Sequence, residues 1–279
     1  MKIGYCTWGM PQVPVRVFVP FLAQLGYHGL ELTVIPGYTT ELISMDSSER
    51  RRIARMLYDH QLELPAIAAQ TSMVDQDPEI AARHGKYLRD AVDLAVDWAQ
   101  DAGPPVVDTS VGGEPDDWDM LRGLLFERMG ELVRYAEQRG VVIAAEPTVG
   151  SMLNTTARTL ELLQAINSPF LRLNFDISHF NVQGVSIDES VAALAPHTVH
   201  THVKDERGVG PGFEFLIPGE GDFDYVHYLK AMRAAGYDDY ITAEISIMVQ
   251  RRPNYDPLEA ASQTYRVLAY AFEQAGERL

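Results

Sequence analysis

The feature that most constrains this chain is a repeat of form: a short apolar strand, a polar residue at its end, then a helix, over and over. The pattern is sharpest from Val141 onward. Val141-Val142-Ile143-Ala144-Ala145 runs into Glu146, and Leu171-Arg172-Leu173-Asn174-Phe175 into Asp176. Thr198-Val199-His200-Thr201 runs into His202, and Tyr240-Ile241-Thr242-Ala243 into Glu244. Earlier strands read at Lys2 to Trp8, Gly29 to Leu32, Leu64 to Ala69 and Val106 to Thr109. Strands alternating with helices at this spacing predict an α/β fold, a single (β/α)8 TIM barrel in which residues 1–279 form one domain. An open doubly wound sheet would need a nucleotide loop after the first strand, and Gly9-Met10-Pro11 is not one.

The intervening segments carry helix punctuation. Val15 to Leu25 stops at Gly26, and Asp77-Pro78 pairs an N-cap with proline at the first helical position, opening a helix to about Ala102. Ser47 or Ser48 caps a helix through Gln61. Further helices read at Asp117 to Arg139, from Thr155 or Thr156 to Ile166, and from Ser186 or Asp188 to Leu194. Two more run from Asp222 or Asp224 to Ala235 and from Pro257 to Gly276, and Lys204 to Asp222 reads as one glycine-rich loop.

Charge and cysteine narrow the function classes. A net charge of −16 offers no basic footprint for nucleic acid or an anionic membrane. There is no apolar run long enough for a membrane span and no secretory leader at the N-terminus. The single cysteine, Cys6, excludes an intrachain disulfide and fits a cytoplasmic setting.

In a closed barrel of parallel strands the four polar ends meet at one mouth. Glu146, Asp176, His202 and Glu244 then make a set of three carboxylates and one imidazole suited to a divalent ion. Each residue alone has a plainer reading: Glu146 as a cap or salt-bridge glutamate, Asp176 as a turn cap. Four such residues at successive strand ends are the stronger signal. His200, His202 and Lys204 share one strand face, where a barrel interior is normally branched and apolar. Trp8 ends the first strand at the same mouth and is a candidate to stack on a sugar ring. Tyr38 and Phe213 are candidates for the same stacking and read at least as well as core or surface aromatics. Glu31 ends the second strand and is a candidate to hold a substrate hydroxyl.

The segments AAEP, NFDISHF, HTHVKD, PGEGDFDY and ITAEIS, which carry Glu146, Asp176 with His179, His202, Pro218 to Tyr225, and Glu244, resemble the sugar-phosphate isomerase/epimerase family of the xylose-isomerase-like barrels. That group includes ketose 3-epimerases, hydroxypyruvate isomerases and inosose isomerases and dehydratases. The resemblance implies that Glu146, Asp176, His202 and Glu244 bind one divalent metal, with Mn2+ first and Mg2+, Co2+ or Zn2+ also suited. It implies that Glu146 and Glu244 move protons, that His179 holds substrate, and that a basic residue after the metal histidine does too, Arg207 here. Lys204 is a second candidate for that contact, or else an ion-pair partner of Asp205 or Glu220. Ketose 3-epimerases carry a second glutamate soon after the first, whereas Pro147 to Asn154 contains no acid.

The expected activity is isomerisation or epimerisation of a non-phosphorylated sugar, keto-sugar or polyol-derived ketone through a metal-stabilised enediolate. The alternative on the same site is a lyase or dehydratase eliminating from a keto-sugar, inosose or 3-keto-glycoside. The partner is a small molecule, and a homo-oligomer is compatible with this reading. A nuclease of the same barrel class would need more histidines at the mouth and a basic face.

Overall fold

The computed structural model describes residues 1–277, so the last two residues of the expected domain lie outside the described residues. Eight parallel strands close into a barrel, as the alternation predicts. They are β1 (Lys2–Cys6), β2 (Gly29–Thr33), β3 (Glu63–Ala68), β4 (Val106–Thr109), β5 (Ile143–Ala145), β6 (Leu171–Asp176), β7 (Thr198–Val203) and, after an intervening hairpin, β10 (Tyr240–Ala243). The order around the barrel is β1-β10-β7-β6-β5-β4-β3-β2. The hairpin is β8 (Asp205–Arg207) with β9 (Glu214–Leu216), antiparallel, inside the stretch expected to be only a loop.

The helices lie between the strands: α1 (Val15–Leu25), α2 (Ser47–Asp59), α3 (Pro78–Asp97), α4 (Trp118–Glu137), α5 (Thr156–Ile166), α6 (Ser178–Asn181), α7 (Ile187–Leu194), α8 (Tyr225–Ala234), α9 (Ile247–Gln250) and α10 (Pro257–Ala275). Most ends follow the local chemistry. Gly26 closes α1 at φ 108, where a side chain would be strained. Asp77 caps α3, accepting from the backbone N–H of Glu79 and Ile80, with Pro78 inside. The cap of α2 is Asp46, which accepts from Glu49 N–H, so the carboxylate takes the position expected of a serine. The α3 helix stops at Asp97, short of Ala102, and Gln100 and Gly103 then make an isolated bridge. Among the described residues, no helix is long and apolar enough to cross a membrane.

The core fills the space between barrel and helices with Ile3, Leu30, Leu32, Ile67, Val107, Leu173 and Phe175, all fully buried. The inner barrel departs from a purely apolar packing. Glu31, Asp108, Asn174, His200 and His202 are fully buried inside it. Register explains how they meet: Asn174 pairs with His200 and Asp176 with His202 across β6 and β7, and Thr242 of β10 lies beside His202. Since neighbouring strands run roughly 5 Å apart, one ligand-type residue per strand end gives a compact group.

Candidate metal centre

Donor atoms of Glu146, Asp176, His202 and Glu244 all lie within 4.8 Å of one another, and all four residues are buried. Asp176 ends β6, His202 is the next-to-last residue of β7, and Glu146 and Glu244 directly follow β5 and β10. The imidazole of His202 is held on both sides. Its Nε2 meets Glu31 Oε2, and its Nδ1 lies 3.0 Å from Glu146 Oε1 and 3.9 Å from Glu244 Oε1. With the Nε2 proton donated to Glu31, Nδ1 is the nitrogen that faces the two glutamates and would serve a cation there. Burial disfavours charge on the ring, but Glu31 and Glu244 outweigh it and hold the pKa well above the ordinary imidazole value.

Lys204 is in the middle of the group. It is 3% exposed, and its Nζ pairs with both Asp176 Oδ2 and Glu244 Oε2. Burial works against the ammonium, yet those two carboxylates raise its pKa. Burial would raise Asp176 in turn, but Lys204 and His179 pull it down to about 2. The other oxygen of Asp176 accepts from the backbone N–H of Ser178 at 3.0 Å and from its hydroxyl. Burial raises Glu244, with Glu146 and Asp176 adding to it against Lys204 and His202. Three carboxylates facing one lysine leave an excess of negative charge in a dry site. With three oxygens and one nitrogen as donors, the residues fit a divalent cation.

A further carboxylate was missed in the sequence. Asp108 of β4 is fully buried, and Gln70, just past β3, bridges it to the metal set: Gln70 Nε2 donates to Asp108 Oδ2 at 2.6 Å and to Glu146 Oε2 at 3.0 Å. Burial, then Glu146 and Glu31, push the Asp108 carboxyl well up. That shift is the direction expected of a carboxyl buried beside other carboxylates. The signal was present, since Val106-Val107 running into Asp108 repeats the pattern of the later strands.

The expected substrate contacts fare unevenly. His179 on α6 reaches the cluster, its Nε2 3.5 Å from Asp176 Oδ2. Burial lowers its pKa to about 4 although Asp176 opposes this. Its ring packs edge-on against Phe215 of β9 at 5.2 Å, and Lys204 Nζ lies 5.6 Å from the same ring. Phe215 is thus the hairpin aromatic in contact with His179, and Phe213 packs on Phe215 at 5.0 Å. Trp8 lies in the turn after β1 and stacks on Tyr38 at 5.8 Å. The Tyr38 hydroxyl donates to the Trp8 carbonyl at 2.8 Å, and burial, then Cys6 and Glu244, raise its pKa.

Three further candidates are placed by the structure, and for Arg207 and Lys204 the expectation is corrected. Glu31 has no exposed surface; its Oε2 orients His202 and His200, the latter 3.2 Å away, while its Oε1 has no hydrogen-bond partner. Arg207 points away from the mouth. It lies on the opposite hairpin face from Glu206, exposed, donating to Glu220 O and facing Asp222 at 3.7 Å. Lys204 takes neither partner named from the sequence, Asp205 or Glu220. Asp205 instead accepts from the N–H groups of Glu206, Gly219 and Phe223, at 3.0, 2.7 and 3.1 Å, and ties down the loop after the hairpin.

Comparison with known proteins agrees with this architecture. The chain is 24% identical over 261 residues to fructoselysine 3-epimerase of Shigella flexneri, covering 91% of this chain and 93% of that one. Among solved structures, it superposes on a probable 3-DHS dehydratase of petrobactin synthesis from Bacillus anthracis with a TM-score of 0.80 at 18% identity, over 96% of this chain and 99% of the other. It superposes on the IolI protein, crystallised with a zinc atom, with a TM-score of 0.78 at 16% identity, over 99% and 98%. The sequence model described as xylose isomerase-like TIM barrel matches residues 19–269. The chain belongs to the xylose isomerase-like TIM barrel family.

Proposed function

We propose that this protein is a divalent-metal-dependent isomerase or epimerase of a sugar, keto-sugar or polyol-derived ketone, working through an enediolate. The observation that carries this reading is the convergence of four buried donors, Glu146, Asp176, His202 and Glu244, within 4.8 Å. The proposed ion is Mn2+, with Mg2+, Co2+ and Zn2+ fitting the same donors, and the zinc in the IolI structure supports a divalent ion. When bound, the ion supplies a Lewis acid that polarises a substrate carbonyl.

The chain's own residues do the rest. Glu146 and Glu244 are assigned the proton transfers at the carbon beside the carbonyl, one on each face. Removal on one face and return on the other inverts that centre, while return to the neighbouring carbon isomerises. His179, 12% exposed at the side chain, is the group assigned to a substrate oxygen. Held uncharged at neutral pH, it can donate or accept there. The Trp8–Tyr38 pair and Phe215 offer apolar faces for the sugar carbons. Lys204 keeps a fixed positive charge next to Asp176 and Glu244. A cytoplasmic setting belongs to the same reading, with Cys6 buried and unpaired.

Elimination is the second reading. It is favoured by the absence of an acid between Pro147 and Asn154 and by the likeness to the 3-DHS dehydratase and to an inosose dehydratase of Clostridium perfringens, 23% identical over half of each chain. The same carboxylate would take the proton, and a β-oxygen would then leave as water.

The test is a screen of ketoses, inososes and 3-keto-glycosides with added Mn2+, following solvent deuterium uptake and loss of water by NMR. Deuterium uptake with retention of all oxygens supports isomerisation; loss of water supports elimination. His202→Ala is expected to lose most of its metal and its activity together. Full metal content in that variant removes His202 from the ligand set.

A further inference from the structure

The hairpin over the mouth carries a buried carboxyl that the proposed chemistry does not use. Glu206 pairs in register with Phe215 across β8 and β9. Residues directly opposite in an antiparallel pair put their side chains on the same face. Phe215 packs on His179, so Glu206 faces the same side, toward α6. There its Oε1 accepts from Asn181 Nδ2 at 3.0 Å. Glu206 is 7% exposed. Its Oε2 and the Asn181 Oδ1 are both buried without a partner.

Two buried acceptors left over beside an existing hydrogen bond are costly as they stand, because nothing replaces the water each has lost. One proton on Oε2, donated to Oδ1, satisfies both and closes a two-way acid–amide pair. We propose that Glu206 is a positioning residue for His179, clamping the β8–β9 hairpin onto α6 through a two-way hydrogen bond with Asn181.

The surroundings agree with a protonated Glu206. Burial pushes its carboxyl up to about 8, the Asn181 hydrogen bond works against this, and Asp176 and Asp205 add to it while Lys204 opposes. The groups that act on it are Asp176 of β6, Asn181 of α6, Tyr225 of α8 and, from its own run of chain, Asp205 and Lys204. The loop beyond contributes the backbone N–H of Asp222, which donates to the Glu206 carbonyl. As pH rises through about 8, the carboxyl loses its proton, Oε2 becomes a second acceptor against Oδ1, and the clamp opens. Phe215 and His179 lie at the two ends of that clamp, so the catalytic imidazole loses its support.

The inference rests on the proposed sugar chemistry in its activity readout only. That readout is kcat/KM against pH on whichever probe from the screen the wild type turns over. Wild type is expected to lose activity above about pH 8. Glu206→Gln reproduces both hydrogen bonds without a titrating group, so it should keep neutral-pH activity and lose the alkaline limb. Glu206→Ala and Asn181→Ala should each lower kcat/KM roughly ten- to hundred-fold at unchanged metal content, the scale of a misplaced catalytic group. The second readout needs no substrate: the side-chain amide resonances of Asn181 in Mg2+-loaded protein should shift through about pH 8 in the wild type and stay flat in Glu206→Gln. Flat Asn181 resonances in the wild type overturn the clamp, as does an alkaline limb that survives Glu206→Gln. If no probe takes up deuterium, the functional reading fails while the resonance titration still decides the clamp.

Discussion

At the scale of single residues, the decisive competition is between Lys204 and the metal for the same carboxylates. Lys204 Nζ contacts Asp176 and Glu244, two of the four donors, inside a site with almost no exposure. Breaking a buried pair by removing one partner typically costs about 3–5 kcal/mol, because the remaining charge is uncompensated. Lys204→Met should therefore lower the melting temperature of EDTA-treated protein strongly. Divalent ion should then restore more stability to the variant than to wild type, since the ion alone neutralises the carboxylates. Thermal melts of both proteins with EDTA and with Mn2+ test this, and equal metal-induced shifts would show that Lys204 contributes nothing to the charge balance. Glu31 acts through another atom of the same cluster. Its carboxylate fixes which nitrogen of His202 faces the glutamates, and groups that orient a metal-ligating histidine are usually worth 10- to 100-fold in metal affinity, roughly. Glu31→Gln should weaken Mn2+ binding by about that factor in calorimetry while leaving the barrel folded.

At the scale of elements, the strand ends were readable because a barrel interior is packed with branched apolar side chains, so a run that stops at a carboxylate or imidazole marks the mouth. That is why β5, β6, β7 and β10 delivered Glu146, Asp176, His202 and Glu244 to one place. The β8–β9 hairpin was not readable. Its strands are three residues each, too short to show alternation, and the glycines around them read as loop. Glu206 and Phe215 are hidden with it, and Arg207, the basic residue implied by the resemblance, lies on the other hairpin face, since spacing along the chain does not say which face a side chain takes. Asp108 and Gln70 were overlooked for another reason: their role depends on β3, β4 and β5 being adjacent, which only the closed barrel establishes. What fixes the hairpin is Asp205, 1% exposed, which gathers three backbone N–H groups. Asp205→Ala leaves those donors unpaired at about 1–3 kcal/mol each. Hydrogen exchange should then lose protection across residues 205–223 while β1 to β7 stay protected; uniform protection would mean that other contacts hold the hairpin.

At the scale of the whole molecule, barrel closure sets how the two glutamates divide the work. In the order β10-β7-β6-β5, two strands separate the one before Glu244 from the one before Glu146. The glutamates thus reach the centre from different sides, with Asp176 and His202 between them. Two carboxylates so placed can address opposite faces of one substrate carbon, which neighbouring strands could not arrange. Their surroundings also differ. Glu146 accepts from Gln70, which also donates to Asp108, whereas Glu244 is paired to Lys204. Glu146→Gln and Glu244→Gln keep shape and one oxygen donor but remove the base. Each is expected to abolish net turnover while retaining part of the metal, and the loss should reach at least the roughly 100-fold of a positioned acid–base group. In deuterated solvent, the variant that keeps the proton-removing glutamate should still wash label into one face of the substrate without forming product. The other variant should exchange nothing from the same direction and show the mirror behaviour when started from product. If either glutamine variant turns over near the wild-type rate, that glutamate is a ligand alone, and the base must come from His179, the next group within reach of the centre.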